Sequence, residues 1–337
     1  MKEQLIELCR LCGISGNEDE VREYIISRVE ADSVTTDALG NLIVFKQGKK
    51  RPRRKLLYMA HMDEVGLMCK SATDGGFIKF GAVGGIDARV LPGKRVYIGK
   101  ARIPGVIGIK PIHLCEEGET DKAVKLKNLY IDIGAPDKAA ALNAAAPGTP
   151  VYFGGQTREL ANGCLRAKAL DDRIGCCVLL QMLQRPHDFD CHYAFTAQEE
   201  NGARGAKAAV YSIAPDIAVV VEGTTAADLP EAAHRAVCAL GKGAVVPFMD
   251  KGAFYSRELF TALREIAEKE HIPWQTKEYV SGGTDAASAQ RSLAGALVVC
   301  VAAPVRYIHS PSSVVSLQDT ESVLQLAWRS LNHFGGA

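Results

Sequence analysis

Several histidines and carboxylates in this sequence stand directly after apolar runs. They are His61 and Asp63 after LLYMA, Glu199 and Glu200 after HYAFTAQ, Glu222 after IAVVV, and His309 after LVVCVAAPVRYI. An aspartate pair, Asp171 and Asp172, stands just before a further apolar run, IGCCVLL. Each of these residues alone fits a solvated loop or a helix start. Together they point to chemistry, because imidazoles and carboxylates bind zinc, transfer protons and hold water for hydrolysis.

The number of these groups fits a site for two metal ions. A catalytic zinc ion takes about four ligands, of which one is water. Suppose that His61 and Glu222 bind one ion and that His309 and Glu200 bind the other. An aspartate and a hydroxide that bridge both ions then complete four ligands for each ion. The three carboxylates and the hydroxide balance the charge of the two divalent ions. We therefore predict two divalent metal ions, zinc first, with cobalt or manganese as alternatives because the same ligands accept all three.

The elements around these residues favour an α/β fold. Apolar strands alternate with helical patterns after residue 163, and NLIVFKQG and KLLYMAHMDEVGLMCK supply earlier strands. Strands that are apolar throughout are typical of a mixed sheet covered by helices on both faces. Polar residues at the carboxyl ends of such strands meet at one edge of the sheet, where open α/β folds build their sites. There the like charges would repel one another without a cation.

The middle of the chain has a different pattern. It contains frequent glycine, short β-rich runs such as RVYIG, NLYIDIG and PVYFGG, and no long helical pattern. Closely spaced short strands with turn signals indicate a small barrel or sandwich. We predict that residues 1–70 and 163–337 form the catalytic α/β domain, and that residues 71–162 form an inserted β-barrel domain.

Composition excludes other classes of protein. The chain of 337 residues carries 40 basic and 39 acidic residues, so no basic excess indicates nucleic acid. The opening MKEQLIELCRLCG is patterned as an amphipathic helix, which predicts neither a signal peptide nor a membrane span. The ten cysteines are scattered and lie mostly in apolar runs, so we expect reduced thiols and a cytoplasmic protein.

Six motifs, in this order, resemble one known family. They are AHMDEVG, KALDDRIG, FTAQEENGARGA, VEGTTAADLP, GGTDA and RYIHS. The chain resembles the cytosolic glutamyl-aminopeptidase and tetrahedral-aminopeptidase family of dinuclear metallopeptidases across nearly its whole length. The resemblance implies an α/β catalytic domain with an inserted β-barrel. It also implies a homo-oligomer, such as a dodecamer, with the barrel domain making contacts.

The resemblance also implies a role for each candidate residue. The metal ligands would be His61, Asp171, Glu200, Glu222 and His309, with Asp171 as the bridge. Glu199 would be the general base, and Asp63 would orient His61. Asp285, in SGGTDA, would belong to the site and approach the substrate amine, although a turn residue that caps the next helix is the alternative. The family usually has aspartate where this chain has Glu222.

The function that follows is a metal-dependent aminopeptidase acting on peptides with a free N-terminus. Glu222 keeps open another dizinc hydrolase on the same scaffold, such as a deacylase or carboxypeptidase. A catalytically silent relative would lack the base or a ligand, yet all of them are present. A glycan hydrolase using Glu199 with Asp63 would leave the two histidines, His61 and His309, without a role.

Overall fold

Strands that are apolar on both faces pair into one large sheet in this protein. The computed structural model describes residues 1–230, 237–277 and 280–337. Within these ranges the large sheet has eleven strands, and six further strands form a closed barrel. The predicted fold class, a mixed sheet between helices with an added β-barrel, is confirmed.

The strands are numbered in chain order. Those of the large sheet are β1 (Ser33–Thr36), β2 (Leu42–Lys46), β3 (Leu56–His61), β10 (Arg158–Glu159), β11 (Cys164–Ala167), β12 (Cys191–Thr196), β13 (Ile217–Thr225), β14 (Ala244–Val246), β15 (Trp274–Thr276), β16 (Leu297–Arg306) and β17 (Ser313–Ser316). Those of the barrel are β4 (Gly66–Ala72), β5 (Ile78–Val83), β6 (Arg95–Ile98), β7 (Ile103–Gly108), β8 (Tyr130–Asp132) and β9 (Pro150–Phe153).

The centre of the large sheet is parallel. Its main order is β1-β2-β12-β3-β13-β16-β17-β11-β10, with β14 pairing β15 and β16. Strands β12, β3, β13 and β16 all run in one direction, whereas β2 and β17 on either side run against them. The four parallel strands therefore deliver their carboxyl ends to one edge.

Helices cover both faces of this sheet. They are α1 (Lys2–Arg10), α2 (Asp19–Ile26), α4 (Leu170–Leu183), α5 (Arg204–Ile213), α6 (Arg257–Lys269), α7 (Ala286–Arg291) and α8 (Leu317–Gly336), while α3 (Lys138–Ala144) belongs to the barrel region. Alternate residues of β3 show the two layers. Leu56 and Tyr58 pack with α1, α4, α6 and α8, whereas Leu57 and Met59 pack with α5 and α7.

Helix α4 is apolar around most of its circumference because it lies inside the molecule. Of its fourteen residues only Asp171 and Gln181 are not buried. A helix that is hydrophobic on all sides needs neighbours on all sides, and α4 packs between the sheet, α1 and α8. This packing fixes the first turn of α4, which carries Asp171 and Asp172.

The barrel has a core of its own, built from inward residues such as Leu67, Ile98 and Ile131. Its first strand, β4, begins at Gly66, ahead of the predicted boundary at residue 71, because the apolar run of β3 continues into β4 with only a short polar interruption. At the other end, β10 pairs with β11 in the large sheet. The division into domains at residues 70 and 163, with a role for the barrel in assembly, stays a prediction.

The sequence predicts reduced thiols and no membrane span. All ten cysteines are unpaired, and eight of them are buried as small apolar side chains. In the described parts of the chain, no helix is both long enough and apolar enough to cross a membrane.

Candidate active site

The carboxyl ends of the central parallel strands bring the candidate residues together. His61 is the last residue of β3, and Glu222 lies in β13, its neighbour. Glu199 and Glu200 follow β12, which pairs β3 on the other side. His309 follows β16, on a left-handed backbone conformation with φ of 57°. The sheet order alone thus collects groups that lie far apart in the sequence.

Asp171 lies between the two histidines. Its Oδ1 is 3.2 Å from Nε2 of His61, and its Oδ2 is 3.3 Å from Nε2 of His309. One carboxylate therefore faces both imidazoles, each through a different oxygen. A residue that bridges two cations needs this arrangement.

A second carboxylate faces each histidine. Oε1 of Glu222 is 3.1 Å from Nε2 of His61, and Oε1 of Glu200 is 3.2 Å from Nε2 of His309. Neither contact has hydrogen-bond geometry, and both oxygens are buried without a hydrogen-bond partner. Burial raises the pKa of Glu200 to about 8, and burial also raises the pKa of Glu222.

These orphaned oxygens fit a metal centre. Buried carboxylates that are close together and lack donors are costly unless a cation compensates them. His61, Asp171 and Glu200 offer ligand atoms that all lie within 4.8 Å of one another. Two imidazoles and several carboxylates form the donor set that suits zinc, cobalt or manganese. The residues present thus fit divalent metal ions.

Asp63 holds the surrounding backbone. Its carboxylate accepts hydrogen bonds from the hydroxyl of Ser15 at 2.6 Å and from the amides of Glu199 at 2.9 Å and Glu200 at 3.1 Å. Its Oδ1 also lies 3.4 Å from Nδ1 of His61, which hydrogen-bonds the Asp63 carbonyl at 2.9 Å. A partner on the far ring nitrogen fixes the orientation of an imidazole that binds metal.

Glu199 is the carboxylate that remains beside the cluster. Its Oε2 lies 4.0 Å from Nε2 of His61, farther than the carboxylates of Asp171 and Glu222. Burial raises the pKa of Glu199 well above its usual range. A carboxylate that is close to a metal site, with a raised pKa, can take up a proton from water.

Comparison with known proteins identifies the family of this chain. Residues 40–326 match the family described as M42 glutamyl aminopeptidase. The chain is 30% identical over 327 residues to the glutamyl aminopeptidase of Lactococcus lactis subsp. cremoris, covering 93% of this chain and 90% of that one. The chain belongs to the M42 peptidase family. Membership confirms the resemblance seen in the motifs and makes this protein a peptide hydrolase.

Solved structures of aminopeptidases share the fold. An aminopeptidase from the archaeon Desulfurococcus kamchatkensis superposes with a TM-score of 0.92 at 32% identity, covering 98% of this chain and 93% of that one. The TET1 peptidase of Pyrococcus horikoshii superposes with a TM-score of 0.86 at 33% identity and covers 98% of each chain. The α/β domain with its barrel is therefore the architecture of these aminopeptidases.

Asp172 of this M42 peptidase has a structural environment that the sequence did not indicate. It is fully buried, and its carboxylate accepts the amides of Gly175 at 2.8 Å and His61 at 3.3 Å. It forms a second group of possible ligand atoms with His61 and Glu222. Its bond to the His61 amide ties the first turn of α4 to the end of β3.

Asp285 lies behind the site. It precedes α7, but its side chain caps no helix amide. Its Oδ2 accepts the hydroxyl of Thr196 at 2.5 Å, while its Oδ1 is buried without a partner. It is absent from the lining of the cavity that contains the ligands. Contact with a substrate amine therefore stays a prediction for Asp285.

A cavity of about 500 Å³ opens in front of the ligands. Asp171, Glu199 and Glu222 line it, and Lys277 and Arg291 belong to the same wall. Lys277 is buried, and its ammonium donates to the hydroxyl of Thr224 at 2.9 Å and to the carbonyl of Ser281 at 2.8 Å. Sequence reasoning missed Lys277 because its partners come from separate segments.

Proposed function

We propose that this M42 peptidase is an aminopeptidase that uses two divalent metal ions and Glu199 as general base. The observation that carries the proposal is the placement of Asp171 between His61 and His309, with Glu199 beside them. Glu222 and Glu200 would complete the two sets of ligands. Zinc is the first candidate, and cobalt or manganese suit the same donors.

When bound, the metal ions would lower the pKa of water and stabilise negative charge on the carbonyl oxygen of the substrate. The chain itself then has two tasks. Asp63 holds the His61 ring and the backbone of Glu199 in fixed directions. The carboxylate of Glu199 takes a proton from the attacking water and delivers it to the nitrogen of the leaving amine.

A free α-amine on the substrate is part of the proposal. The test uses one peptide in three forms: free, N-acetylated and C-amidated. An aminopeptidase should cleave the free and the amidated forms and leave the acetylated form intact. Loss of cleavage on amidation, with the acetylated form still cut, would favour the deacylase or carboxypeptidase alternative. Glu222, which replaces the usual aspartate of the family, is the feature that supports this alternative.

The wall of the cavity supports a preference for acidic N-terminal residues. Lys277 is buried there, and among the described residues no carboxylate lies within ion-pair distance of its ammonium. The ammonium donates two of its three N–H groups to Thr224 and Ser281, so a carboxylate of a substrate side chain could accept from the third and pair with the buried charge. The relative from Lactococcus lactis is named a glutamyl aminopeptidase. We therefore propose Glu or Asp at the N-terminus of preferred peptides.

This preference can be measured with glutamyl, leucyl and lysyl p-nitroanilides. The wild-type protein should give the highest kcat/KM with the glutamyl substrate. Lys277→Met should lower that value by about thirtyfold or more, because truncating one partner of a buried charge pair costs about 2–5 kcal/mol. Lys207→Met, which removes an exposed lysine of α5 outside the cavity, is the matched control. Equal loss on all three substrates would refute the assignment.

We also propose that the chain works as a homo-oligomer in the cytoplasm. The TET1 peptidase of Pyrococcus horikoshii can assemble into a tetrahedron or a large octahedral shell. On the barrel side of this chain, Ile112 is 78% exposed and Leu114 is 59% exposed, which suits an interface. Unpaired cysteines support a reducing compartment. Sedimentation of the wild type against Ile112→Glu should show a large particle that the variant loses.

A further inference from the structure

The loop that carries the proposed base is closed by its own hydrogen bonds. It spans residues 197–203 between β12 and α5 and includes Glu199 and Glu200. The amide of Gly205 donates to the carbonyl of Ala197 at 3.0 Å, and the amide of Ala203 donates to the carbonyl of Glu199 at 2.8 Å. The direction of the Glu199 side chain therefore depends on what holds the first residues of this loop.

Four consecutive backbone amides at the start of the loop donate to buried side chains of the N-terminal part of the chain. The pairs are Ala197 with Oδ1 of Asn41 at 2.8 Å, Gln198 with Oε1 of Glu18 at 3.1 Å, Glu199 with Oδ1 of Asp63 at 2.9 Å, and Glu200 with Oδ2 of Asp63 at 3.1 Å. Asp63 also faces His61, whereas the hydrogen bonds of Asn41 and Glu18 to this region go to its backbone.

Asn41 joins the start of the loop to the first turn of α5. It is fully buried, and its Nδ2 donates to the carbonyl of Gly205 at 2.9 Å and to Oδ2 of Asp37 at 2.6 Å. Gly205 leaves the room that this contact requires. A Cβ at residue 205 would lie 2.2 Å from Oδ1 of Asn41 and 2.3 Å from the carbonyl oxygen of Ala197, so any other residue there displaces Asn41, the start of the loop, or both.

Glu18 holds the next amide of the loop. It is 3% exposed, and its Oε1 also accepts the amide of Gly16 at 2.8 Å. Among the described residues it forms no ion pair. Burying an unpaired carboxylate is costly, so its hydrogen bonds to backbone amides are the compensation that the structure provides. Gln198, the residue it holds, has a left-handed backbone with φ of 58° directly before Glu199.

We propose that Glu18 and Asn41 are positioning residues for Glu199, which they aim at the cavity through the amides of residues 197 and 198. This inference rests on the proposed function, in which Glu199 is the base. A general base must lie within hydrogen-bond reach of the proton that it takes, and small misplacements of reacting groups cost large factors in rate. Neither residue touches the proposed metal ligands His61 and His309.

The test compares two substitutions of similar length. Glu18→Gln keeps an oxygen for the Gln198 amide, whereas Glu18→Met removes the acceptor. We expect Glu18→Met to lower kcat by at least about tenfold, with KM changed less than about threefold, because misplacement of a reacting group acts on the chemical step. Metal content should stay close to that of the wild type, whereas the thermal midpoint should fall because the amides of Gly16 and Gln198 lose their acceptor. Glu18→Gln should recover most of the lost kcat. Equal kcat in the two variants would overturn the inference.

A double variant separates positioning from a general effect on folding. In the Glu199→Gln background, Glu18→Met should change the residual rate by less than about twofold, because the group that it aims is already gone. A loss of about tenfold in that background would overturn the inference. If Glu199→Gln itself kept full turnover, the base assignment would fall and this inference with it. A drop with Glu199→Gln and none with Glu18→Met would overturn the inference alone.

Gly205→Ala gives an independent route if Glu18→Met does not fold. The added methyl group would collide with Oδ1 of Asn41 and with the backbone of Ala197, so it displaces the start of the loop and its contact with Asn41. We expect the same loss of kcat with KM and metal content preserved. A Gly205→Ala protein that binds metal as the wild type does and turns over at the full rate would overturn the role of Asn41.

Discussion

The two halves of the candidate metal centre are held in different ways. The half around His61 stands on adjacent strands, β3 and β13, and the His61 side chain is 1% exposed. The half around His309 stands on the loop after β16, and the His309 side chain is 35% exposed. Asp63 holds the His61 ring, whereas the carbonyl of Gly85, in the segment after β5, accepts a hydrogen bond from Nδ1 of His309 at 2.9 Å.

This difference indicates which half of the site is preorganised for metal binding. Ligands on paired strands keep their directions without a metal, because the sheet and its packing fix them. A ligand on a half-exposed loop loses more conformational freedom when it binds. We expect the half around His61 to bind its ion more tightly and the half around His309 to exchange its ion more readily.

Asp171 is the residue that joins the two halves, so its removal should have the largest effect. Asp171→Ala should lower the affinity for both ions by more than the roughly 10–100-fold that is typical for residues that only orient a ligand. Elemental analysis after dialysis measures the content, which we expect to approach two ions per chain in the wild type. A variant that keeps one ion at full affinity would remove Asp171 from the bridging position.

Glu199 and Glu200 are neighbours with different proposed roles. Glu199→Gln should reduce turnover by about 10²–10⁴-fold, the usual contribution of a general base, while metal content stays unchanged. Glu200→Gln is the matched control and should weaken the ion of the His309 half. The reverse pattern, with metal lost in Glu199→Gln and kept in Glu200→Gln, would exchange the two assignments.

The two histidines test the comparison directly. His309→Ala should release one ion to a chelator at concentrations that leave the other bound, with little change in thermal stability. His61→Ala should also lower the free energy of unfolding, because it removes a buried side chain and leaves an unpartnered Asp63 carboxylate. Chelator titrations with metal analysis, together with thermal melts, measure both effects. Equal release from the two variants would show that the halves are equivalent.

Of these substitutions, Glu222→Asp should have the smallest effect on turnover. The shorter side chain moves one ligand of the His61 half, but the resemblance to the family leads us to expect that aspartate also serves at this position. We expect kcat to change by less than about tenfold, which corresponds to roughly 1.4 kcal/mol. Kinetics with the free and N-acetylated peptides measure it. If the wild type or the Glu222→Asp variant cleaved the N-acetylated peptide, the proposed substrate class would be wrong.

Strand ends could be predicted from the sequence because long apolar runs stop at polar groups. That pattern is local, and it suffices to place His61, Glu199 and Glu222 at one edge of the sheet. The closed barrel could not be read in the same way. Its closure depends on β4 pairing with β9, and Leu67 pairs with Val151 far along the chain. Local patterns contain no information about such pairs.

Lys277 and Glu18 show what strand patterns miss. Both are charged residues whose burial indicates a specific role, and burial cannot be read from the sequence alone. Glu18 reads as an acidic residue near a helix start, which is common. Its contact with the Gln198 amide joins segments 180 residues apart. Such hydrogen bonds follow from the packing of the whole domain.

The hydrogen bond between His309 and Gly85 connects metal binding to the barrel thermodynamically. Gly85 follows β5, so the orientation of one proposed ligand depends on how the barrel rests against the large sheet. Any contact between copies of the chain that shifts the barrel must then change the affinity of the His309 half for its ion. By reciprocity, filling that half must change the free energy of assembly by the same amount.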